Sequence, residues 1–195
     1  MKAVLLEVSP AELARRKKTG EDRWDEMWEG VLHLSPAPGY EHQRIIAELL
    51  EFLRPLLKRN RRGELVPGIN VFRADDDYRI PDLTFVAHGR QEVLAVDGAR
   101  QGPDLVIEVR SPGDESYDKL PFYAALGIRE VVIILRDEKT SELFRLTGDR
   151  YLPVVADSHG RLLSEALGVR FGHLAASQPR LVLEDAAEPA TRTEI

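Results

Sequence analysis

The sequence predicts one α/β domain organised around a mixed β-sheet, and three observations lead there. From Tyr40 to about Arg59, the residues Ile45, Ile46, Leu49, Leu50, Leu53, Leu56 and Leu57 recur at three- and four-residue steps, as on the buried face of an amphipathic helix. Two apolar runs, ELVPGINVFRA and YRIPDLTFVAH, are separated only by Asp75-Asp76-Asp77, which is the short spacing of antiparallel strands. The runs DLVIEVR and EVVIILR enclose a helical stretch, LPFYAALGI, and strand–helix–strand is the spacing of a parallel crossover.

The remaining elements follow in order. KAVLLEV reads as a short first strand. Ser9, Pro10 and Glu12 carry the helix-start chemistry of a capped helix over SPAELARRKK. DEMW and VLHLS flank Glu29-Gly30 as a β-hairpin. Pro55 inside the long helix is expected to kink or divide it. The helix LPFYAALGI should stop near Gly127. EVVIILRDE, SELFRLTG and RYLPVVAD read as three strands with short turns. EDAAEPATRTEI lacks apolar periodicity, so residues 1–185 are assigned to one domain and 186–195 to a loose tail.

Composition narrows the function. At 43% hydrophobic the chain can build a core, and no apolar run reaches the length of a membrane span. The short apolar run at the start lacks a signal peptide's core and cleavage site, so a cytoplasmic protein is expected. There are no cysteines, which excludes disulfides, thiolate metal sites and cysteine nucleophiles. A net charge of -6 argues against a general coat for nucleic acid. It argues less against an enzyme whose acids bind metal.

Two carboxylates intrude on apolar strands. Alternation puts Val106, Glu108 and Arg110 on one face of DLVIEVR, with Leu105, Ile107 and Val109 on the other. Asp82 follows Pro81, whose missing N–H opens the sheet ladder there. Two neighbouring carboxylates repel each other, and a divalent cation such as Mg²⁺ relieves this. That pairing is the chemistry of phosphodiester hydrolysis. A Glu108–Arg110 ion pair, or an Asp82 that simply ends a strand, accounts for each residue taken alone. A cation is also needed near the attacking water. Arg110 can offset transition-state charge but cannot act as a base. Lys119, 11 residues beyond Glu108 at the start of the next helix, is the better candidate.

The string EG-VLHLSPAP-x-x-EHQ at 29–43, YRIPDLTFV at 78–86, GPDLVIEVRSP at 102–112 and DK-LPFYAALGIREVVII at 118–134 resembles, in order and spacing, the Uma-type restriction endonuclease family of the PD-(D/E)XK nuclease superfamily. The resemblance runs from about Trp24 to Val155. It implies a restriction-endonuclease-like core flanked by helices, with the first strand, first helix and hairpin added at the N-terminus. It implies metal binding by Asp82, Glu108 and the Val109 backbone carbonyl, with Mg²⁺ or Mn²⁺ as the ion. Where the superfamily has lysine, this strand has Arg110. The family instead carries a helix lysine in the pattern K-x-x-x-Y-x-x-x-G, here Lys119, Tyr123 and Gly127. His42 and Gln43, at the start of the long helix, become candidates for polar support, His42 at the catalytic site itself.

Other features read as structural. Trp24 and Trp28 suit core or dimer packing. The basic run Arg15 to Lys18 and the group Arg59, Arg61 and Arg62 suit solvated faces. The expected function is thus metal-dependent cleavage of DNA by a homodimer, since cutting two strands calls for two active sites. The alternative is a non-catalytic protein that keeps the fold and acts as a regulatory or binding partner. An open basic groove beside Asp82 would favour DNA, and a closed pocket a small phosphate ester.

Overall fold

Strand β1 (Ala3–Leu5) begins the computed structural model, which describes residues 3–195. Lys2, counted in the predicted first strand, lies outside the described residues. Helix α1 (Pro10–Thr19) starts as its sequence dictates: Ser9 Oγ accepts the Glu12 N–H at 3.2 Å, and Gly20 closes the helix at φ 73°. After a 3-10 turn (Glu21–Trp24), β2 (Glu26–Trp28) and β3 (Val31–Leu34) form the predicted hairpin about Glu29-Gly30. Helix α2 (Tyr40–Arg59) runs unbroken through Pro55. Its apolar stripe continues past the proline, with Leu53, Leu56 and Leu57 all buried, and that burial outweighs the lost backbone hydrogen bond.

Each of the two apolar runs that follow proves to be two strands. ELVPGINVFRA divides at Pro67-Gly68 into β4 (Gly63–Pro67) and β5 (Val71–Ala74). YRIPDLTFVAH divides at Ile80-Pro81-Asp82 into β6 (Asp77–Arg79) and β7 (Leu83–Ala87). The prolines interrupt the ladder, and the chain crosses from one sheet to another at each break. The short strands β8 (Leu94–Ala95) and β9 (Gly98–Ala99) precede β10 (Leu105–Arg110). Helix α3 (Leu120–Ala125) then crosses to β11 (Glu130–Leu135), and Gly127, at φ 69°, permits the turn between them. Strands β12 (Thr140–Thr147) and β13 (Arg150–Pro153) follow, and then β14 (Leu162–Ser164), β15 (Val169–Leu174), β16 (Arg180–Asp185) and β17 (Arg192–Glu194).

These strands form three sheets rather than the one expected. The central six-stranded sheet runs β13-β12-β11-β10-β7-β4, with β10 and β11 parallel and β7 antiparallel to both β4 and β10. A seven-stranded sheet, β1-β3-β2-β6-β5-β9-β8, holds the hairpin, and β14 to β17 make a third. Leu83, Phe85, Leu105, Ile107, Val109, Val132 and Ile134 of the central sheet pack on the α2 stripe and on Phe171, Leu181 and Leu183 of the third sheet. Val86, Val106, Val131 and Ile133, on the opposite face, pack on Phe122, Tyr123 and Ile128. Glu108 belongs to this second face, by the alternation expected of β10.

The predicted loose tail is overturned. Residues 192–194 pair with β16, and Ile195 is buried and exchanges backbone hydrogen bonds with Leu181 at 2.8 and 3.0 Å. One terminal isoleucine and an edge strand suffice to dock a segment that has no long periodic pattern. No helix among the described residues is long and apolar enough to cross a membrane.

Candidate functional site

Asp82 stands where β7 has not yet begun. The β7 ladder with β10 ends at Leu83 opposite Ile107, so the next backbone groups of β10 on that side lack a strand partner. The Asp82 side chain fills this gap: Val109 N–H donates to Asp82 Oδ2 at 2.6 Å. A residue's N–H and C=O point to the same side of a strand, so the Val109 carbonyl also faces Asp82. From the first turn of α2, His42 Nε2 meets Asp82 Oδ1 at 2.9 Å.

Glu108 is buried, and its Oε1 accepts the Tyr123 hydroxyl at 2.5 Å. Lys119 ends a 3-10 turn just before α3, and its Nζ lies 3.2 Å from Glu108 Oε1 and 2.8 Å from Glu26 Oε1. Sequence reasoning missed Glu26. This residue is buried in β2, where its Oε1 also accepts the Ile80 N–H at 2.8 Å and its Oε2 the Trp28 indole N–H at 2.9 Å. The signal was present: Glu26 lies between Trp24 and Trp28 at strand spacing, an acid among large apolar neighbours, as Glu108 is.

Burial pushes the Glu108 carboxyl up to about 7, with the Lys119 ammonium opposing and the Asp82 and Glu26 carboxylates reinforcing the rise. Burial acts to lower the Lys119 pKa, but Glu108 and Glu26 outweigh it and hold the ammonium charged well above the ordinary lysine range. The Tyr123 hydroxyl is likewise pushed well up by burial and by Glu108, so it stays a donor. For His42, burial favours the neutral ring, yet the Asp82 hydrogen bond and charge win and its pKa rises. In the Asp82→Asn variant the main opposing influence is removed, and the His42 titration midpoint, followed by histidine ring NMR, is expected to fall below the wild-type value. An unchanged midpoint would rule out Asp82 as the source of the rise.

Glu26, His42, Asp82, Glu108, Val109 and Lys119 all line one cavity of about 750 Å³. Arg110 does not line it. Its guanidinium sits 5.0 Å over the Tyr117 ring, with Nε 4.0 Å from Asp114. Gln43 lines the cavity, and so does Trp24, whereas Trp28 is occupied in packing, stacked at 4.3 Å on His33 and covered by the Arg79 guanidinium at 4.0 Å. Arg15 is engaged by Glu12 and Glu21 on an exposed face, whereas Arg16 is largely covered and pairs with the buried Asp25, so the solvated-face reading does not hold for Arg16. Among the described residues, no group of three or more His, Cys, Asp and Glu is placed to hold a metal ion. The Asp82 and Glu108 carboxylates and Val109 line the same cavity, and hard oxygen donors of this kind suit an ion that retains waters and takes a substrate oxygen.

The fold is that of a nuclease-like α/β protein. A crystal structure described as "a putative nuclease belonging to DUF820", from Anabaena variabilis, superposes with a TM-score of 0.62 at 20% identity, covering 81% of this chain and 89% of that one. The Uma2 family profile, described as "Putative restriction endonuclease", matches residues 10–176, and the chain belongs to this family. No functionally curated protein matches the sequence.

Proposed function

We propose that the protein is a Mg²⁺- or Mn²⁺-dependent endonuclease that hydrolyses DNA phosphodiester bonds and works as a homodimer. The observation that carries this reading is the meeting of Asp82, Glu108 and Lys119, from three separate segments, in one cavity. Asp82, the Val109 carbonyl and Glu108 would hold the ion. Both the Tyr123 and the Lys119 contacts fall on Glu108 Oε1, which leaves Oε2 as its ligand oxygen. A divalent ion held there polarises a phosphoryl oxygen and lowers the pKa of water.

The remaining work belongs to the side chains. Lys119 is kept protonated, so it offsets charge on the scissile phosphate and orients the attacking water rather than accepting a proton. Glu26 keeps the ammonium aimed into the cavity. His42, hydrogen-bonded to Asp82, fixes that carboxylate. Arg110 supports the strand end from outside the cavity. The rival reading, a non-catalytic binding protein, draws support from the Lys119–Glu26–Glu108 cluster, because an ion-pair network also accounts for buried charge.

Calorimetry with Mg²⁺ and Mn²⁺, run beside plasmid nicking, separates the two. Wild type is expected to bind the ion and nick DNA, and Asp82→Ala to do neither. Lys119→Met is expected to keep most of the ion affinity and lose about 100-fold or more in nicking, the scale of a lost charge-stabilising donor. If the wild type binds no ion and cuts nothing, the binding-protein reading takes over.

A further inference from the structure

The cavity beside Asp82 is not a basic groove. Of its lining residues only Arg23 and Lys119 are lysine or arginine, against the acids Glu26, Asp82, Glu108, Asp114 and Glu115. Duplex DNA is held largely by cations that neutralise phosphates along both backbones. This cavity, in a chain of net charge -6, offers cations enough for one phosphate and not for such an array. Its volume of about 750 Å³ is on the scale that encloses a small organic ligand. The walls are apolar where the acids are absent, with Pro36, Pro38, Ile46, Pro67 and Ile80 among them.

One wall residue is an aromatic plane. Trp24 is half-buried, and its ring lies against Gly68, where a Cβ would stand only 3.6 Å away. The Gly68 N–H in turn donates to the Asp82 carbonyl at 3.1 Å. The indole is therefore one backbone contact from the carboxylate that would hold the ion. The exposed Arg23 guanidinium covers one face of the same ring, 5.1 Å from its centre, so a base that stacks on that face displaces this side chain. Across the cavity, the loop from Ser111 to Ser116 is pinned by Asp114, which accepts Ser111 N–H at 2.5 Å, Ser116 N–H at 3.0 Å and Ser116 Oγ–H at 2.7 Å. The loop side of the cavity is preformed.

We infer that the cavity takes an unpaired stretch of DNA, with one base stacked on Trp24 and the adjoining phosphate at Lys119. This rests on the nuclease reading and sharpens it: the substrate is a single strand, a flap or a locally melted segment, not intact duplex. Base–aromatic stacking tolerates any sequence, so such binding calls for no groove-reading module.

The test uses the whole protein and a short fluorescein-labelled strand, alone or annealed to its complement, with anisotropy measured in Ca²⁺ and cleavage in Mg²⁺ and Mn²⁺. The single strand is expected to bind more tightly than the duplex, and supercoiled plasmid to be nicked faster than linear. Trp24→Ala should weaken single-strand binding by roughly tenfold or more, the loss of one stacked base, while ion affinity and thermal midpoint hold. Trp24→Phe should restore most of the affinity. The single strand should quench tryptophan emission in wild type and much less in Trp24→Phe, a readout that stands even if the alanine variant folds poorly. Equal or tighter duplex binding, or single-strand affinity and quenching indifferent to Trp24, overturns the inference while plasmid nicking keeps the nuclease reading alive. Ion binding with no cleavage of any DNA removes the nuclease reading and the inference together.

Discussion

Glu108→Gln is expected to stabilise the ion-free protein at neutral and alkaline pH and to abolish divalent-ion binding. Burial raises the Glu108 carboxyl from 4.5 to about 7, so the folded state disfavours its ionised form. The sign follows directly. A group with a raised folded-state pKa gives its full stability below the unfolded value, and that stability is lost as pH rises through the folded value. Between about pH 4.5 and 7 the wild type therefore loses stability on the order of 3 kcal/mol that the glutamine variant does not lose. Lys119 keeps Glu26 as its counter-ion in the variant, so no buried charge is stranded. Urea unfolding in chelator across this pH range measures the difference, and calorimetry should show ion affinity down by at least about 100-fold, beyond what loss of an outer partner costs. A variant less stable than wild type at pH 8, still binding the ion, would show that Glu108 is a structural ion-pair member and nothing more.

The second large effect is structural. Glu130→Ala is expected to cost about 2–4 kcal/mol, the scale of leaving a few buried donors without their acceptor, while the half-exposed Arg145 guanidinium returns to water. The Glu130 carboxylate, buried at the start of β11, accepts five hydrogen bonds: Arg145 Nε at 3.1 Å and Nη2 at 2.8 Å, Ser164 Oγ at 2.6 Å, and the backbone N–H groups of Glu165 at 3.1 Å and Ala166 at 3.2 Å. It is the polar tie between the central sheet and the turn that follows β14. Removing it leaves a hydroxyl and two backbone donors without that acceptor, each costly where water is excluded. Hydrogen exchange should show β14 to β17 losing protection first. A change below about 1 kcal/mol in denaturant unfolding would mean that water replaces the carboxylate without penalty.

Much of this was legible because it is periodic or local. The α2 stripe, the Ser9 cap, the hairpin at Glu29-Gly30 and the parallel pairing of β10 with β11 each follow from a pattern within one short window. So does the placement of Glu108 on the face opposite Ile107. The three-sheet arrangement was not legible, because it turns on where Pro67-Gly68 and Pro81 send the chain, and a proline shows that a ladder breaks but not which sheet receives the next strand. The C-terminal sheet was missed although Val169 and Phe171, like Leu181 and Leu183, alternate at strand spacing; each such pattern is short and broken by Gly172 and polar neighbours, and β17 is anchored by Ile195 alone. At the site, Asp82, Glu108 and Lys119 announce themselves as charges in apolar or capped settings. Arg110 shares the strand face of Glu108 yet turns away to Tyr117, since a long side chain at a strand end is steered by its neighbours more than by alternation. Glu26 went unread because its partner lies 93 residues along the chain.

The break at Ile80-Pro81-Asp82 divides the labour of the molecule. Upstream of it, the hairpin sheet and the turn before it carry Trp24 and Glu26; downstream, the central sheet carries Glu108 and, beyond it, Lys119. The two parts are joined by a shared core, in which Val71, Val93 and Ala99 meet Val106, Phe122 and Tyr123, and by the Glu26 carboxylate with its bonds to Ile80 and Lys119. Packing changes in the hairpin sheet therefore reach the Glu26 carboxylate and the Lys119 ammonium that it holds.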